Sequence, residues 1–184
     1  MNWGNLESGL LGAIAGGIIG SILSYVGAAY LQNRERKTRQ LAAARALLVE
    51  LRANHFGVQS LGTDLHQKVP NEWPRFEKSD YFVKSAWVDL LPLISPLLHW
   101  SELTQIENAY RSMETALQEI QAAGHHVAKS SPTSEWGSFR QDLQRIENQS
   151  LRKALHAFAQ ATKLLASRVL TVEERKEIAS QPGL

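Results

Sequence analysis

His99 and Glu102 stand three residues apart, a spacing that brings an imidazole and a carboxylate to one side of a helix. Helical bundles that hold metals use this pairing, but they repeat it and add further carboxylates, and no second Glu-x-x-His or His-x-x-Glu pair accompanies this one. The pair therefore reads as a solvated one. His125 and His126 are adjacent, so on a helix they would not share a face, and they make a poor chelate. His55, His66 and His156 are isolated in the sequence. The chain has no cysteine, which removes thiolate metal sites, disulfides and a cysteine nucleophile. It has no glycine-rich phosphate loop, no HExxH and no GxSxG, and its serines sit in no nucleophile context. The expectation is a protein that is not an enzyme, with no catalytic residues, no metal and no cofactor.

The strongest pattern concerns surface rather than catalysis. Residues 9–31, GLLGAIAGGIIGSILSYVGAAYL, carry no charge over twenty-three positions. As a helix rising about 1.5 Å per residue they would extend about 35 Å, enough for a bilayer core of about 30 Å. Gly12, Gly16, Gly20, Ser24 and Ala28 fall four apart, and Gly9, Ala13, Gly17 and Ser21 form a neighbouring row. Together they make one nearly flat helix face. In lipid, helices associate through close backbone approach, which small residues allow. Gly12, Gly16, Gly20 and Ser24 are thus the expected helix–helix interface. A cleaved signal peptide fits less well: residues 1–8 hold Glu7 and no Lys or Arg, and the apolar run is too long.

Arg34, Arg36, Lys37 and Arg39 follow the apolar run, against Glu35 alone. The positive-inside rule puts that end in the cytoplasm, and the same four residues are the expected contacts to lipid headgroups. Trp3 and Tyr30 lie near the two ends of the run, where amphipathic rings favour the interface. The basicity is local. Of twenty basic and eighteen acidic residues, five and two lie in residues 1–45, so residues 46–184 hold fifteen against sixteen, a net charge of −1. A domain without basic surplus is not expected to bind nucleic acid.

The elements that would position these features are helical throughout. Leu41, Ala44, Leu47, Leu48, Leu51, His55, Val58 and Leu61 form one apolar stripe with no proline from residue 28 to residue 61, so the apolar segment is expected to continue unbroken into the next helix. Gly57 weakens the last turns and Gly62 should end the helix. Asn54 falls on the inner stripe, one turn after Glu50, where a polar residue can set packing register. Residues 62–79 read as a loop, pinned by Trp73 and Phe76. Ser79-Asp80 should cap a short helix over residues 81–91 that Pro92 stops, and Ser95-Pro96 should start the next. There Leu103, Ile106, Tyr110, Met113, Leu117 and Ile120 alternate spacings of three and four as a coiled-coil-like seam, ended by Gly124. Ser131-Pro132 should begin a last long helix reaching about Leu170, with Phe139, Leu143, Ile146, Leu151, Leu155, Phe158, Leu165 and Val169 inward. The five-residue step from Ile146 to Leu151 marks a phase shift, and Thr171 with Glu174 forms a capping box.

The expected fold is all-α: an N-terminal transmembrane helix continuing into a cytoplasmic antiparallel bundle of three main helices with short helices as lids. The expected organisation is an external tail at 1–8, a membrane helix at 9–31, a basic collar at 32–45, a helical-bundle domain at 46–180 and a flexible tail at 181–184. That layout is common among small single-pass proteins of the bacterial inner membrane, with the N-terminus outside. Two functions suit it. One is a self-associating membrane effector or signalling protein whose bundle senses a ligand or partner. The other is an accessory or assembly subunit of a larger inner-membrane complex. The expected partners are membrane lipids and, through the membrane helix, a second copy or another membrane protein.

Overall fold

A computed structural model describes residues 3–67, 81–129 and 136–174; the side chains of 3–20, 22, 66–67, 125–129 and 136–138 are not among the described ones. It is all-α, with five helices and no strand among the described residues: α1 (Trp3–Gln67), α2 (Ser85–Ile94), α3 (Trp100–Lys129), α4 (Trp136–Ile146) and α5 (Arg152–Val169). A 3-10 turn, Ser95–Leu97, follows α2, and a π turn, Glu147–Leu151, joins α4 to α5. The chain divides into two compact units, Met1–Gln40 and Leu41–Leu184. The first is the N-terminal part of α1. Among the described residues no helix is long and apolar enough to cross a membrane; of the run 9–31, the side chains of 9–20 and of Ile22 fall outside the described ones. Trp73, Phe76, the Ser79-Asp80 cap, the Ser131-Pro132 start and the tail at 181–184 also lie outside the described residues.

In the second unit the apolar stripes become the core. Leu47, Leu51, Val58 and Leu61 of α1 meet Ile106, Tyr110, Met113, Leu117 and Ile120 of α3, and Phe158, Ala161 and Leu165 of α5, all in one buried cluster. Each fully buried aliphatic side chain stabilises the fold by roughly 1.5–3 kcal/mol relative to exposure. At the centre the Tyr110 ring stacks on Trp87 at 5.7 Å and meets Phe82 and Phe158 edge-on at 5.9 and 5.6 Å.

Cross-helix bonds fix the helix directions. On α3 and α5, Glu102 pairs with Arg168, Gln105 with Gln160, and Glu119 with Ser150 of the π turn, so these helices are antiparallel. On α1, Arg45 pairs with Glu174 beyond the end of α5, whereas His55 lies by the backbone of Leu155, so α1 is antiparallel to α5 as well. It follows that α1 and α3 point the same way. The expected antiparallel order of three main helices is therefore corrected: the chain returns along α1 before α3 begins.

Residues 81–87 make that return, and one face of α1 is built to receive them. Asp64 accepts a hydrogen bond from the Tyr81 hydroxyl. At Gly57 a Cβ would stand 2.2 Å from the Tyr81 carbonyl oxygen, so the close approach of this backbone requires glycine. Asn54, 1% exposed, donates from Nδ2 to Val83 O at 2.6 Å and accepts Val83 N–H on Oδ1 at 2.8 Å. Glu50 then accepts the Ala86 and Trp87 amides at 2.6 and 3.2 Å and the Ser85 hydroxyl at 3.3 Å. A carboxylate is favoured at a helix N-terminus, where amides lack intrahelical partners. Glu50 thus caps α2 from thirty-six residues away, and the helix starts at Ser85 instead of residue 81.

Other boundaries move for tertiary reasons. Gly62 does not end α1; the helix continues to Gln67 because Leu65 extends the buried stripe. Pro92 lies inside α2 rather than stopping it. The carbonyl it leaves without an amide donor belongs to exposed Val88, while Ile94 beyond it is fully buried. Ser95-Pro96 forms only the 3-10 turn, and α3 starts at Trp100, where His99 N–H donates to Glu102 Oε2 at 2.7 Å. Gly124 is buried within α3, which continues through the two histidines to Lys129. The step at Ile146–Leu151 is the π turn. Five α-helical residues would rotate Leu151 about 140° away from Ile146; the wider turn brings both into the core, at 3% and 1% exposure. The Thr171–Glu174 capping box forms in both directions, at 2.7 and 3.2 Å.

Candidate functional site

The π turn sits between two grooves of the second unit. On one side, α1 and the turn border a groove of about 410 Å³. Val58, Leu151 and Leu155 line it with Gly62, whose missing Cβ would meet nothing within 4 Å. On the other side, α3 faces the turn and α5 across a groove of about 670 Å³, a size common for small-molecule sites.

The larger groove is polar, and helical spacing explains it. Asn108, Ser112, Thr115 and Glu119 recur at steps of three and four along α3, with Arg111 next to Ser112, beside the buried seam. Ser150, Lys153, His156 and Gln160 do the same opposite. The two rows are bonded together at each end. Gln105 Nε2 donates to Gln160 Oε1 at 3.4 Å at one end, and Ser150 Oγ donates to Glu119 Oε2 at 2.6 Å at the other. His156 Nε2 lies 2.7 Å from Gln160 Nε2, one turn along α5. Arg111 holds Glu107 at 2.8 Å, an exposed pair on its own helix that water screens.

A second polar centre is internal. Glu50 Oε1 accepts the Tyr110 hydroxyl at 2.6 Å in addition to the α2 amides. Burial, and then the Glu50 carboxylate, push the Tyr110 phenol far above its ordinary pKa, so it stays protonated and donates. All of these partners are internal to the fold, so the centre fastens α1, α2 and α3 together.

The residues singled out in the sequence fall in different places. The Glu102 carboxylate accepts the His99 amide at 2.7 Å on Oε2 and the Arg168 guanidinium at 2.9 and 2.6 Å on Oε1. Those two partners, in that order, hold its pKa below the usual range. Among the described residues no group of three or more His, Asp or Glu side chains gathers for a metal. Gly12, Gly16 and Gly20 are helical within α1, but their packing lies outside the described residues; Ser24 is exposed. Arg34, Arg36, Lys37 and Arg39 are exposed, and at about 100° per residue they circle the helix instead of forming one stripe. Arg39 pairs with Glu35 at 2.5 Å. The groove residues were not singled out in the sequence. The signal available was the polar row at positions 108, 111, 112, 115 and 119 together with the five-residue step.

Comparison with known proteins places nothing beside this arrangement: no family model, no curated protein and no solved structure matches the chain.

Proposed function

We propose that this chain is a non-catalytic, single-pass membrane protein that self-associates through the glycine face of residues 9–31. Its helical domain senses a ligand or partner on the cytoplasmic side of a bacterial inner membrane, in an effector or signalling role. One observation carries the reading. In the first unit Leu23, Tyr25, Val26, Tyr30 and Leu31 each expose more than half of their surface, on a helix with no charge between Glu7 and Arg34. Apolar surface of that extent needs lipid or a protein partner to cover it. The uncharged length suits a bilayer, and the basic collar after it suits the cytoplasmic side.

The reading joins an anchor to a bundle through one helix, α1, whose later turns carry Glu50, Asn54 and Gly57. A ligand acts on such a protein only through different affinities for two states. The test uses the absence of cysteine. A cysteine at Asn2 should react with a membrane-impermeant thiol reagent on intact cells, and one at exposed Gln118 should react only after the cells are opened. The reverse pattern, or equal labelling of both on intact cells, overturns the reading.

A further inference from the structure

Between its two end bonds the larger groove is a polar seam open to water. Two antiparallel polar rows face each other from Asn108 to Glu119 on α3 and from Ser150 to Gln160 on α5 and the π turn. Asn108, Gln149 and Lys153, all exposed, and half-buried Ser112 line the groove and make no side-chain hydrogen bond among the described residues, so their donors face water. All four carry donors, and Lys153 carries three. Arg111 adds a guanidinium whose present partner, Glu107, is exposed and lies one turn back on the same helix. Among the described residues the one acidic side chain in the lining is Glu119, which accepts Ser150 on Oε2. The groove thus presents many donors and two cations against one carboxylate. Among the described residues Ala157 is its only apolar lining residue, and that small side chain leaves the volume open. The π turn supplies Gln149 and Ser150, and π turns within helices recur at functional sites.

We propose that this groove binds a small phosphate ester of nucleotide size, with Arg111 and Lys153 holding the phosphate from opposite walls. Asn108, Ser112 and Gln149 bond the remaining oxygens. Arg and Lys are the side chains suited to phosphate, the first by paired N–H donors and the second as a point charge. This rests on the reading of the bundle as a sensing domain and names the ligand class it senses.

The experiment is equilibrium binding to the full-length protein in lipid nanodiscs, with adenosine 5′-monophosphate, ribose 5-phosphate and adenosine as probes. At least one of the two phosphate esters should bind with a dissociation constant below about 1 mM, and adenosine should bind at least tenfold more weakly. Lys153→Gln and Arg111→Gln, both exposed changes, should each weaken phosphate-ester binding about tenfold or more. Ala157→Leu, which fills the groove, should abolish it. Adenosine binding as well as its monophosphate, or phosphate-ester binding unchanged in Lys153→Gln and Arg111→Gln, overturns the proposal, as does no binding by either ester. Thiol labelling of the same preparation reads the membrane arrangement separately, so a failure of binding and a failure of the anchor are distinguishable.

Discussion

Asn54 and Val83 are joined by two hydrogen bonds that satisfy both backbone polar groups of Val83 with one side-chain amide, at 2.6 and 2.8 Å. The amide does for this segment what a neighbouring strand does in a sheet. Removing it leaves a part-buried N–H and carbonyl without their partner. Asn54→Ala should therefore destabilise the fold by about 1–3 kcal/mol in urea unfolding. A change below about 0.5 kcal/mol, the size of an ordinary surface substitution, would show that the return leg is held elsewhere.

Glycines 57 and 62 lie on the same helix and should respond in opposite directions. Alanine is preferred over glycine inside a helix by about 1 kcal/mol. At Gly62 the added methyl meets nothing within 4 Å, so Gly62→Ala should stabilise by about 0.5–1 kcal/mol. At Gly57 it would stand 2.2 Å from Tyr81 O, so the segment has to move away. Gly57→Ala should destabilise despite its better propensity, by about 1–3 kcal/mol as for other overpacked sites. Thermal unfolding of the two variants checks the signs.

His55 gives a pH dependence with a definite sign. Burial lowers its pKa from 6.5, only partly opposed by the Leu155 backbone. The unfolded chain therefore takes up the proton first. Its contribution is complete above pH 6.5 and declines as pH falls through that value towards the lower folded one. Glu102 and Glu174 act in a separate, more acidic window: both are held below 4.5, so their contributions are lost only as pH falls through their folded values. Urea midpoints between pH 8 and pH 5 should fall for the wild type and fall less for His55→Phe. Parallel curves would assign the dependence to other groups.

The collar should bind anionic lipid. A truncated chain starting at Asn33 keeps Arg36, Lys37 and Arg39 and the whole second unit. Changing those three to glutamine should cost about 3 kcal/mol of binding to vesicles rich in anionic lipid, at about 1 kcal/mol per charge. The wild-type binding should also weaken with salt. Sedimentation with anionic and with neutral vesicles reads both effects; binding indifferent to lipid charge and salt would leave the collar a topology signal alone.

Local periodicity made much of this fold legible. The stripe from Ala44 to Leu61, the seam from Ile106 to Ile120, the phase step at Ile146–Leu151 and the Thr171–Glu174 box are each written in spacings of three to five residues. What failed was non-local. Glu50 looks like a surface glutamate until α2 is placed against it, and Gly57 looks like a weak helix position until Tyr81 lies on it. The shared direction of α1 and α3 follows from that return leg, which no spacing encodes. The groove was hidden for the same reason. Asn108, Ser112 and Lys153 read as solvent-facing residues, and only the antiparallel pairing of α3 with α5 sets them opposite one another.

Crosslinking in membranes reads whether the proposed anchor associates through its glycine face. Full-length protein in native membranes, with one cysteine introduced at Ser24, should form disulfide-linked dimers on mild oxidation. Gly16→Leu in that background places a bulky side chain where two backbones are proposed to meet, while leucine keeps the helix in the bilayer. Gly16→Leu should remain in the membrane fraction and lose most of its dimer, whereas Leu23→Ala, off that face, should keep it. Equal crosslinking in wild type and Gly16→Leu, or release of the wild-type chain from membranes by alkaline carbonate, would contradict this reading.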